Sequence, residues 1–209
     1  MVIRFVIASD EIEPPAISTA VAALADRGIV AYPTDTFYGL AVDPRNADAV
    51  RRLFEAKGRA PDQATPLIAA TLIQAEEAVE FNDVARRLAL RFWPGPLSLV
   101  LPARPAIDRG ALGGGRTAAI RVPAQPLAQA LARGAGFSIT ATSANLSGQP
   151  PPQTAFDIAD PLLEHVAVLL DGGITPGGAP STIVDVSEGI PRLVRAGLTA
   201  WERVLESLQ

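Results

Sequence analysis

Short apolar segments of strand length alternate along this chain with longer segments in which apolar residues recur at helical spacing. Ile29–Tyr32 is apolar throughout, whereas Ala47–Ala56 places its apolar side chains on one face of a helix. Strands and helices that alternate in this way bury their apolar faces in layers, which is typical of the α/β class. We therefore predict one α/β domain over residues 1–209, with about nine strands in a twisted, mixed open sheet flanked by helices.

The same patterns locate the individual elements. Strands are predicted at Val2–Ile7, Ile29–Tyr32, Pro66–Leu72, Leu97–Leu101, Ala118–Val122, Phe137–Thr142, Val166–Leu170, Thr182–Val186 and Arg192–Arg195. Helices are predicted at Ile17–Ala25, Ala47–Ala56, Glu76–Glu80, Val84–Phe92, Pro126–Ala132 and Thr199–Leu208. We expect Asn46 to cap the second helix, and Gly58 to end it in the left-handed conformation that glycine adopts without strain.

The composition excludes several classes of site. The chain has no cysteine, which excludes disulfides, thiolate metal sites and cysteine nucleophiles, and the single His165 excludes a histidine-rich metal site. No apolar run reaches the roughly 18 residues that a membrane span requires, and the N-terminus turns polar too soon for a signal peptide. The formal charge of −4 disfavours broad nonspecific binding to nucleic acid. We expect a cytoplasmic protein that does not associate with membranes.

Lys57 is the only lysine among the 18 basic residues, the others being arginine. A lysine retained in such a composition indicates a need for the compact ammonium charge, which suits phosphate oxygens and which a planar guanidinium replaces poorly. As a charge at the edge of a loop, Lys57 is expected to contribute little to stability.

Polar loops lie at the ends of several predicted elements, at residues 33–40, 57–59, 140–148 and 181–185. Together with the strand ends they offer hydroxyls, an amide and the cations Lys57, Arg59, Arg121 and Arg195. This combination favours an anionic ligand, most simply a nucleotide polyphosphate. Neither a P-loop nor a dinucleotide-binding glycine motif is present. Each loop taken alone could equally be an ordinary turn or strand, so the interpretation depends on their combination.

Six motifs occur in a fixed order: Pro-Thr-Asp-Thr-x-Tyr-Gly-Leu, Lys-x-Arg, Trp-Pro-Gly-Pro-Leu-Ser-Leu-Val-Leu, Ile-Arg-Val-Pro, Thr-Ser-Ala-Asn-x-Ser-Gly, and Ser-Thr-Ile-Val-Asp followed by Arg-x-Gly. In this order they resemble the YrdC/TsaC-like threonylcarbamoyl-AMP synthase family over essentially the whole chain. The resemblance implies a twisted open sheet around a concave, positively charged cavity, in the short, single-domain form of the family. It also implies the condensation of L-threonine, bicarbonate and ATP, with Mg²⁺ carried by the nucleotide, into threonylcarbamoyl-AMP and pyrophosphate.

The resemblance also implies partners and site residues. A downstream transferase complex would pass the threonylcarbamoyl group to tRNA, and tRNA itself is a further expected partner. Lys57 and Arg59 match the catalytic and ATP-binding Lys-x-Arg motif, and ATP would also contact Ser143, Asn145 and Arg195. L-threonine would be held by Thr34 or Thr36, Arg121 and Ser181. No protein side chain is expected to bind metal.

The sequence departs from the family pattern in several places, and two of them lie near the expected site. Ala60 precedes Pro61 where the family usually has Lys-x-Arg-Pro, and Ala70 replaces a frequent histidine near the substrate. Alternatives therefore remain at the level of sequence. The chain could be a YrdC-like nucleotide- or RNA-binding paralogue without synthase activity, a pseudoenzyme, or a carbamoyl-adenylate-forming enzyme like the related domain of hydrogenase maturation proteins.

Overall fold

The structure, a computed structural model, describes residues 2–7, 14–60 and 62–209. Within these ranges the strands are β1 (Ile3–Val6), β2 (Ile29–Pro33), β3 (Tyr38–Ala41), β4 (Leu67–Ile68), β5 (Leu97–Pro102), β6 (Thr117–Arg121), β7 (Ile139–Thr140), β8 (Thr142–Ser143), β9 (Val166–Asp171), β10 (Thr182–Asp185) and β11 (Arg192–Arg195). The helices are α1 (Pro14–Ala25), α2 (Ala47–Lys57), α3 (Leu72–Ala78), α4 (Asp83–Phe92), α5 (Pro126–Ala135), α6 (Asp160–Leu163) and α7 (Trp201–Glu206), with a 3-10 turn at Ala155–Asp157.

The strands form two mixed sheets. One has five strands in the order β1-β9-β2-β3-β8, and the other has six in the order β11-β10-β5-β6-β4-β7. Both contain parallel and antiparallel neighbours: β2 is parallel to β9 and antiparallel to β3, and β5 is parallel to β10 and antiparallel to β6. The α/β class with mixed sheets and flanking helices is confirmed, but its strands are divided between two sheets where the sequence indicated one.

The division is visible in the segment predicted as one strand at Phe137–Thr142. It forms the two short strands β7 and β8, which belong to different sheets. Thr140 pairs with Leu67 in the six-stranded sheet, and Thr142 pairs with Leu40 in the five-stranded one. The chain therefore crosses from one sheet to the other within three residues, which a periodicity of apolar residues cannot reveal.

A second difference lies at Pro66–Leu72, which was predicted as a strand throughout. Only Leu67–Ile68 pairs as β4, because the side chain of Thr71 accepts the backbone N–H of Gln74 at 3.1 Å and starts helix α3. By contrast, the caps predicted for α2 are confirmed. Asn46 accepts the N–H of Ala49, and Gly58 ends the helix at φ 59°.

Two apolar clusters hold these layers together. One packs α1 and α5 onto the five-stranded sheet through residues such as Leu24 and Leu131. The other joins the two sheets to α2 and includes Leu40, Leu53 and Leu99, all fully buried. Side chains on the scale of leucine contribute about 1.5–3 kcal/mol each when fully buried, so the second cluster fixes the position of one sheet relative to the other.

Candidate functional site

A cavity of about 680 Å³ is lined by residues of both sheets. Most of the residues predicted from the sequence line it: Thr34, Thr36, Arg59, Arg121, Ser143, Ser181 and Arg195. Lys57 and Asn145 are the predicted residues outside this lining. The cavity thus gathers residues from the β2–β3 turn, the end of α2, the end of β6, the β8 strand and the β10–β11 hairpin.

The turn between β2 and β3 is organised by the hydroxyl of Thr34. This hydroxyl accepts the backbone N–H groups of Thr36 and Phe37 at 3.1 and 3.2 Å, and lies 2.7 Å from the Phe37 carbonyl. The Thr36 hydroxyl has a single described partner, the Thr34 hydroxyl at 3.1 Å. Thr34 therefore serves the turn itself, while Thr36 keeps hydrogen-bonding capacity for a ligand.

Arg121, at the end of β6, forms a buried ion pair with Asp35. One of its Nη atoms donates to one oxygen of Asp35, whose other oxygen accepts the backbone N–H of Ala124 at 3.2 Å. The two side chains are 7% and 13% exposed. A charged group this deeply buried is stable only when paired, so Asp35 fixes the plane in which the rest of the guanidinium faces the cavity.

Arg195, at the end of β11, is held by Ser181. Its Nε and one Nη donate to the Ser181 carbonyl at 3.2 and 2.8 Å, and the same Nη donates to the Ser181 hydroxyl at 3.1 Å. Burial and then the nearby Arg121 cation lower the pKa of Arg195. Two cations that face one cavity repel each other, and a bound anion would relieve this repulsion.

The Ser181 hydroxyl also lies 3.1 Å from the hydroxyl of Ser98. Ser98 is 2% exposed, lines the cavity from β5, and makes no other side-chain hydrogen bond among the described residues. The side chains of Ser98, Ser181 and Arg195 are therefore connected by hydrogen bonds along the six-stranded sheet.

Arg59 follows the left-handed Gly58 and crosses toward β8. It donates to the Thr142 hydroxyl at 3.0 Å and to the Ala64 carbonyl at 2.8 Å. Its Nε is buried and has no partner among the described residues. Burial lowers the pKa of Arg59, as expected for a cation that is bound only by neutral acceptors.

Lys57 is only 4% exposed, so the expectation that it lies as a charge at the edge of a loop is wrong, and its small contribution to stability stays a prediction. Its Nζ donates to the backbone carbonyls of Ser143 and, at 2.6 Å, Asn145. Burial and then the nearby Arg59 cation lower the pKa of Lys57 to about 8. Lys57 thus reaches the cavity through the 143–145 segment, whose backbone it holds.

Asn145 belongs to a neighbouring cavity of about 640 Å³ that shares Phe37 and Pro151 with the first. Its side-chain oxygen accepts the hydroxyl of Ser143, and its amide donates to the Leu146 carbonyl at 3.0 Å. The predicted Ser143–Asn145 pair is therefore in direct contact, at the boundary between the two cavities.

The 173–181 segment is tied across the cavity to the β2–β3 turn. The N–H of Gly177 donates to the Thr36 carbonyl at 2.8 Å, and Thr175 donates twice to the Gln153 carbonyl. Gly177 has a φ of 67°, and a Cβ there would lie 1.4 Å from the Gln153 amide nitrogen. The left-handed φ favours glycine at this position, and a Cβ would also require the flexible side chain of Gln153 to move.

Sequence reasoning missed three polar residues of the site: Asp35, Ser98 and Thr142. All three stand inside motifs that were recognised, but a motif does not say which of its members face one another. Ala70 is 6% exposed, and its N–H donates to the Gln74 side chain rather than facing the cavity. Pro61, next to the altered Lys-x-Arg motif, lies outside the described residues.

Within the described ranges, the chain shows neither a metal-binding cluster nor a membrane-spanning helix. No group of three or more histidine, cysteine, aspartate and glutamate side chains is placed to hold a metal ion. None of the helices in these ranges combines the length and hydrophobicity that crossing a bilayer requires.

The chain is similar in sequence to a known family and to curated proteins. A family profile described as "telomere recombination", which covers Sua5, YciO and YrdC proteins, matches residues 22–197. Threonylcarbamoyl-AMP synthase of Bacillus subtilis is 41% identical over 96% of this chain and 59% of its own length. The protein of the same name from Pyrococcus abyssi is 40% identical over 93% of this chain and 58% of its own length. The chain therefore spans about three fifths of the length of these curated relatives.

The fold was compared with solved structures. The structure of P. abyssi Sua5 complexed with L-threonine superposes with a TM-score of 0.93 at 37% identity, over 99% of this chain and 61% of that one. The profile match covers most of the chain, and the curated relatives agree with it at about 40% identity. This chain belongs to the Sua5/YciO/YrdC family.

Proposed function

We propose that this chain is an L-threonylcarbamoyladenylate synthase, which condenses L-threonine, bicarbonate and ATP into threonylcarbamoyl-AMP and pyrophosphate. The observation that carries the proposal is one cavity in which Arg59, Arg121 and Arg195 converge with the hydroxyls of Thr36 and Ser181. Relatives named threonylcarbamoyl-AMP synthase match over nearly the whole chain, which supports the same assignment.

One side of the cavity suits the amino acid. Arg121 can present the donors that Asp35 leaves free to the carboxylate of threonine, and a guanidinium can bind both carboxylate oxygens at once. Ser181 stands close by through its contact with Arg195, and Thr36 offers a hydroxyl with one described partner. These groups match a ligand that carries one carboxylate and one hydroxyl.

The other side suits the nucleotide. Arg59 and the buried Lys57, together with Arg195 where it adjoins the amino acid side through Ser181, are bound by carbonyl and hydroxyl groups and, among the described residues, by no carboxylate. Their positive charge is therefore available to a polyphosphate. Ser143 and Asn145, at the boundary with the second cavity, are the proposed contacts to the rest of ATP.

The chemistry needs these charges more than it needs a nucleophilic side chain. The amine of threonine attacks the carbon of bicarbonate and forms a carbamate with loss of one water molecule, and a carbamate oxygen then attacks the α-phosphorus of ATP. The new oxygen–phosphorus bond forms as the bond to the bridging oxygen breaks, and pyrophosphate leaves with the electron pair. Cations placed along the phosphates lower the repulsion between the two anions and stabilise the departing charge. Mg²⁺ carried by the triphosphate supplies further screening.

The proposal extends to the context of the reaction. The adenylate product is labile in water, so a transferase complex that passes the threonylcarbamoyl group to tRNA is the expected next step. Thr34 acts in the proposal by shaping the turn that carries Thr36. We further propose that the domain of residues 1–209 acts as one unit and works in the cytoplasm.

The test measures pyrophosphate release from ATP and bicarbonate, with and without L-threonine. Arg195→Ala should reduce the threonine-dependent rate by about 100-fold or more, the scale of a lost group that stabilises developing charge. Arg192→Ala is the matched control, because Arg192 lies on the same strand, is exposed, and pairs with Glu188. This control should leave the rate unchanged.

This assay, together with a measurement of ATP binding, separates the alternative functions. Threonine-independent release of pyrophosphate would assign the chain to another carbamoyl-adenylate chemistry. Nucleotide binding without turnover would identify a binding paralogue or a pseudoenzyme. Either result would overturn the proposed synthase.

A further inference from the structure

Ser98 is absent from the proposed reaction, yet it is buried in the wall of the same cavity. Its hydroxyl has one described side-chain partner, the Ser181 hydroxyl, at 3.1 Å. A buried hydroxyl without a partner is destabilising, so this contact is the one that satisfies Ser98 among the described side chains.

The hydrogen bonds of Ser181 restrict what its hydroxyl can offer a ligand. A serine hydroxyl accepts through two lone pairs and donates one proton. Arg195 donates to the first lone pair at 3.1 Å. When Ser98 donates to the second, both lone pairs are occupied, and the proton of Ser181 is the only part left for a ligand.

We propose that Ser98 is a positioning residue that sets Ser181 as a hydrogen-bond donor toward an anionic oxygen of the bound amino acid. The inference deepens the proposed function and rests on it. Ser181 accepts from a guanidinium, and a hydroxyl that accepts from a cation becomes a better donor. Ser98 therefore donates to Ser181 and Ser181 donates to the ligand carboxylate, and each hydrogen bond strengthens the next.

This arrangement has a consequence for selectivity. With Ser98 in place, Ser181 has no free lone pair for a ligand that offers an N–H at the carboxylate position. Without the Ser98 hydroxyl, the second lone pair of Ser181 opens, and the site can accept such a donor. Ser98 thus increases the preference of the site for a carboxylate over the isosteric carboxamide, although it contacts neither group directly.

The experiment compares binding of L-threonine and L-threoninamide to the full chain by calorimetry. Ser98→Val and Ser98→Thr form a matched pair, because the two side chains have nearly the same shape and only threonine keeps the hydroxyl. In Ser98→Val the preference for threonine over threoninamide should fall by about fivefold to tenfold, the range of one hydrogen bond. Ser98→Thr should retain the preference, and ATP affinity should change by less than about twofold in both.

Ser138→Ala controls for the loss of a buried hydroxyl, because Ser138 is 3% exposed and donates to the Gln74 carbonyl at 3.3 Å. It should leave the preference unchanged. If the two Ser98 variants discriminate equally, the positioning role is wrong while the synthase proposal stands. If the unaltered chain does not bind threonine, the proposed function fails and the role of Ser98 fails with it. Thermal unfolding of each variant confirms that it is folded, and Ser98→Ala replaces Ser98→Val if the latter is not.

Discussion

The two sides of the cavity hold their cations differently. On the side of α2, Lys57 and Arg59 donate to backbone carbonyls and one hydroxyl, so their charge has no carboxylate partner among the described residues. On the side of β6, Arg121 is paired with Asp35, and the pair is close to neutral. The uncompensated cations on the α2 side attract a multiply charged anion over a longer distance. The paired Arg121 instead orients its guanidinium so that it can bind one carboxylate directly. The difference matches a polyphosphate on one side and an amino acid on the other.

The largest effect is expected where an unmatched charge is removed. Lys57→Met should lower threonine-dependent pyrophosphate release by about 100- to 1,000-fold, because the neutral side chain neither screens the phosphates nor holds the 143–145 backbone. Well above pH 8, where the cost of burying the ammonium is relieved, the two carbonyls left without a donor should also lower the free energy of unfolding by about 1–3 kcal/mol. Lys57→Arg should also have a low rate of pyrophosphate release, since the bulkier, planar guanidinium does not fit where the compact ammonium binds.

Steady-state assays and chemical denaturation measure these two losses separately. Arg52→Met, an exposed change on the same helix, is the control and should alter neither quantity. Near-normal turnover in Lys57→Met would show that the charge on this side is dispensable and would remove the contrast between the two sides.

A smaller and more selective effect is expected on the Arg121 side. Arg121→Ala should weaken threonine binding by about 50-fold, the scale of 2–3 kcal/mol for a charge-assisted hydrogen bond left unmade. ATP affinity should change less than threonine affinity, because in this proposal Arg121 contacts the amino acid, whereas the nucleotide senses only the loss of one positive charge beside the unpaired Asp35. Calorimetric titrations with each ligand provide the comparison, and equal losses for both would contradict it.

The pH dependence of binding tests the charge on the α2 side directly. The pKa of Lys57 is lowered to about 8, and a bound polyphosphate would raise it again. ATP affinity should therefore fall by up to about tenfold between pH 7 and pH 9, because Lys57 loses its proton in the absence of ATP. Without ATP, the free energy of unfolding should instead increase as the pH rises. A lysine whose pKa is lowered on folding penalises the folded state below about pH 8, and this penalty is relieved as the pH rises toward the ordinary lysine value.

Titrations of ATP across this range, with the Lys57→Met variant alongside, separate the lysine from the pKa of the ligand. The variant should lose the pH dependence above 8. If ATP affinity depends on pH equally in both proteins, a group other than Lys57 causes the dependence.

The smallest effect concerns the hydroxyl of the amino acid. Thr36→Val removes a hydroxyl with one described partner and should reduce the preference for threonine over valine by about fivefold, or roughly one net hydrogen bond. Competition between the two amino acids at fixed ATP and bicarbonate measures the preference. An unchanged preference would mean that another group reads the hydroxyl, and that Thr36 does not belong to the amino acid side.

Local signals in the sequence predicted local structure well. Asn46 and Gly58 mark the ends of α2 because capping depends only on neighbouring backbone groups. The passage from β7 to β8 was not predictable in this way. The choice of sheet depends on whether Leu67 or Leu40 lies alongside, and both are distant in sequence.

The same distinction applies to the site. Motif order identified most of the residues that line the cavity, but not the partners that decide their roles. The burial of Lys57 depends on the 143–145 segment, and the neutralisation of Arg121 depends on the fold that brings Asp35 to it. Both contacts join residues more than 80 positions apart, so composition and spacing carry no record of them.

The tie between Gly177 and Thr36 has a consequence for how this protein tolerates mutation. Gly177 offers the cavity no side chain, yet its N–H anchors the turn that carries Thr36, and any Cβ would collide with Gln153. In a saturation library selected for activity, position 177 should therefore tolerate few replacements, chiefly because its left-handed φ strains any residue other than glycine. The collision is with the end of a flexible side chain, so Gln153→Ala would clear the space. The left-handed φ would remain, and replacements at 177 should be only partly rescued in that background.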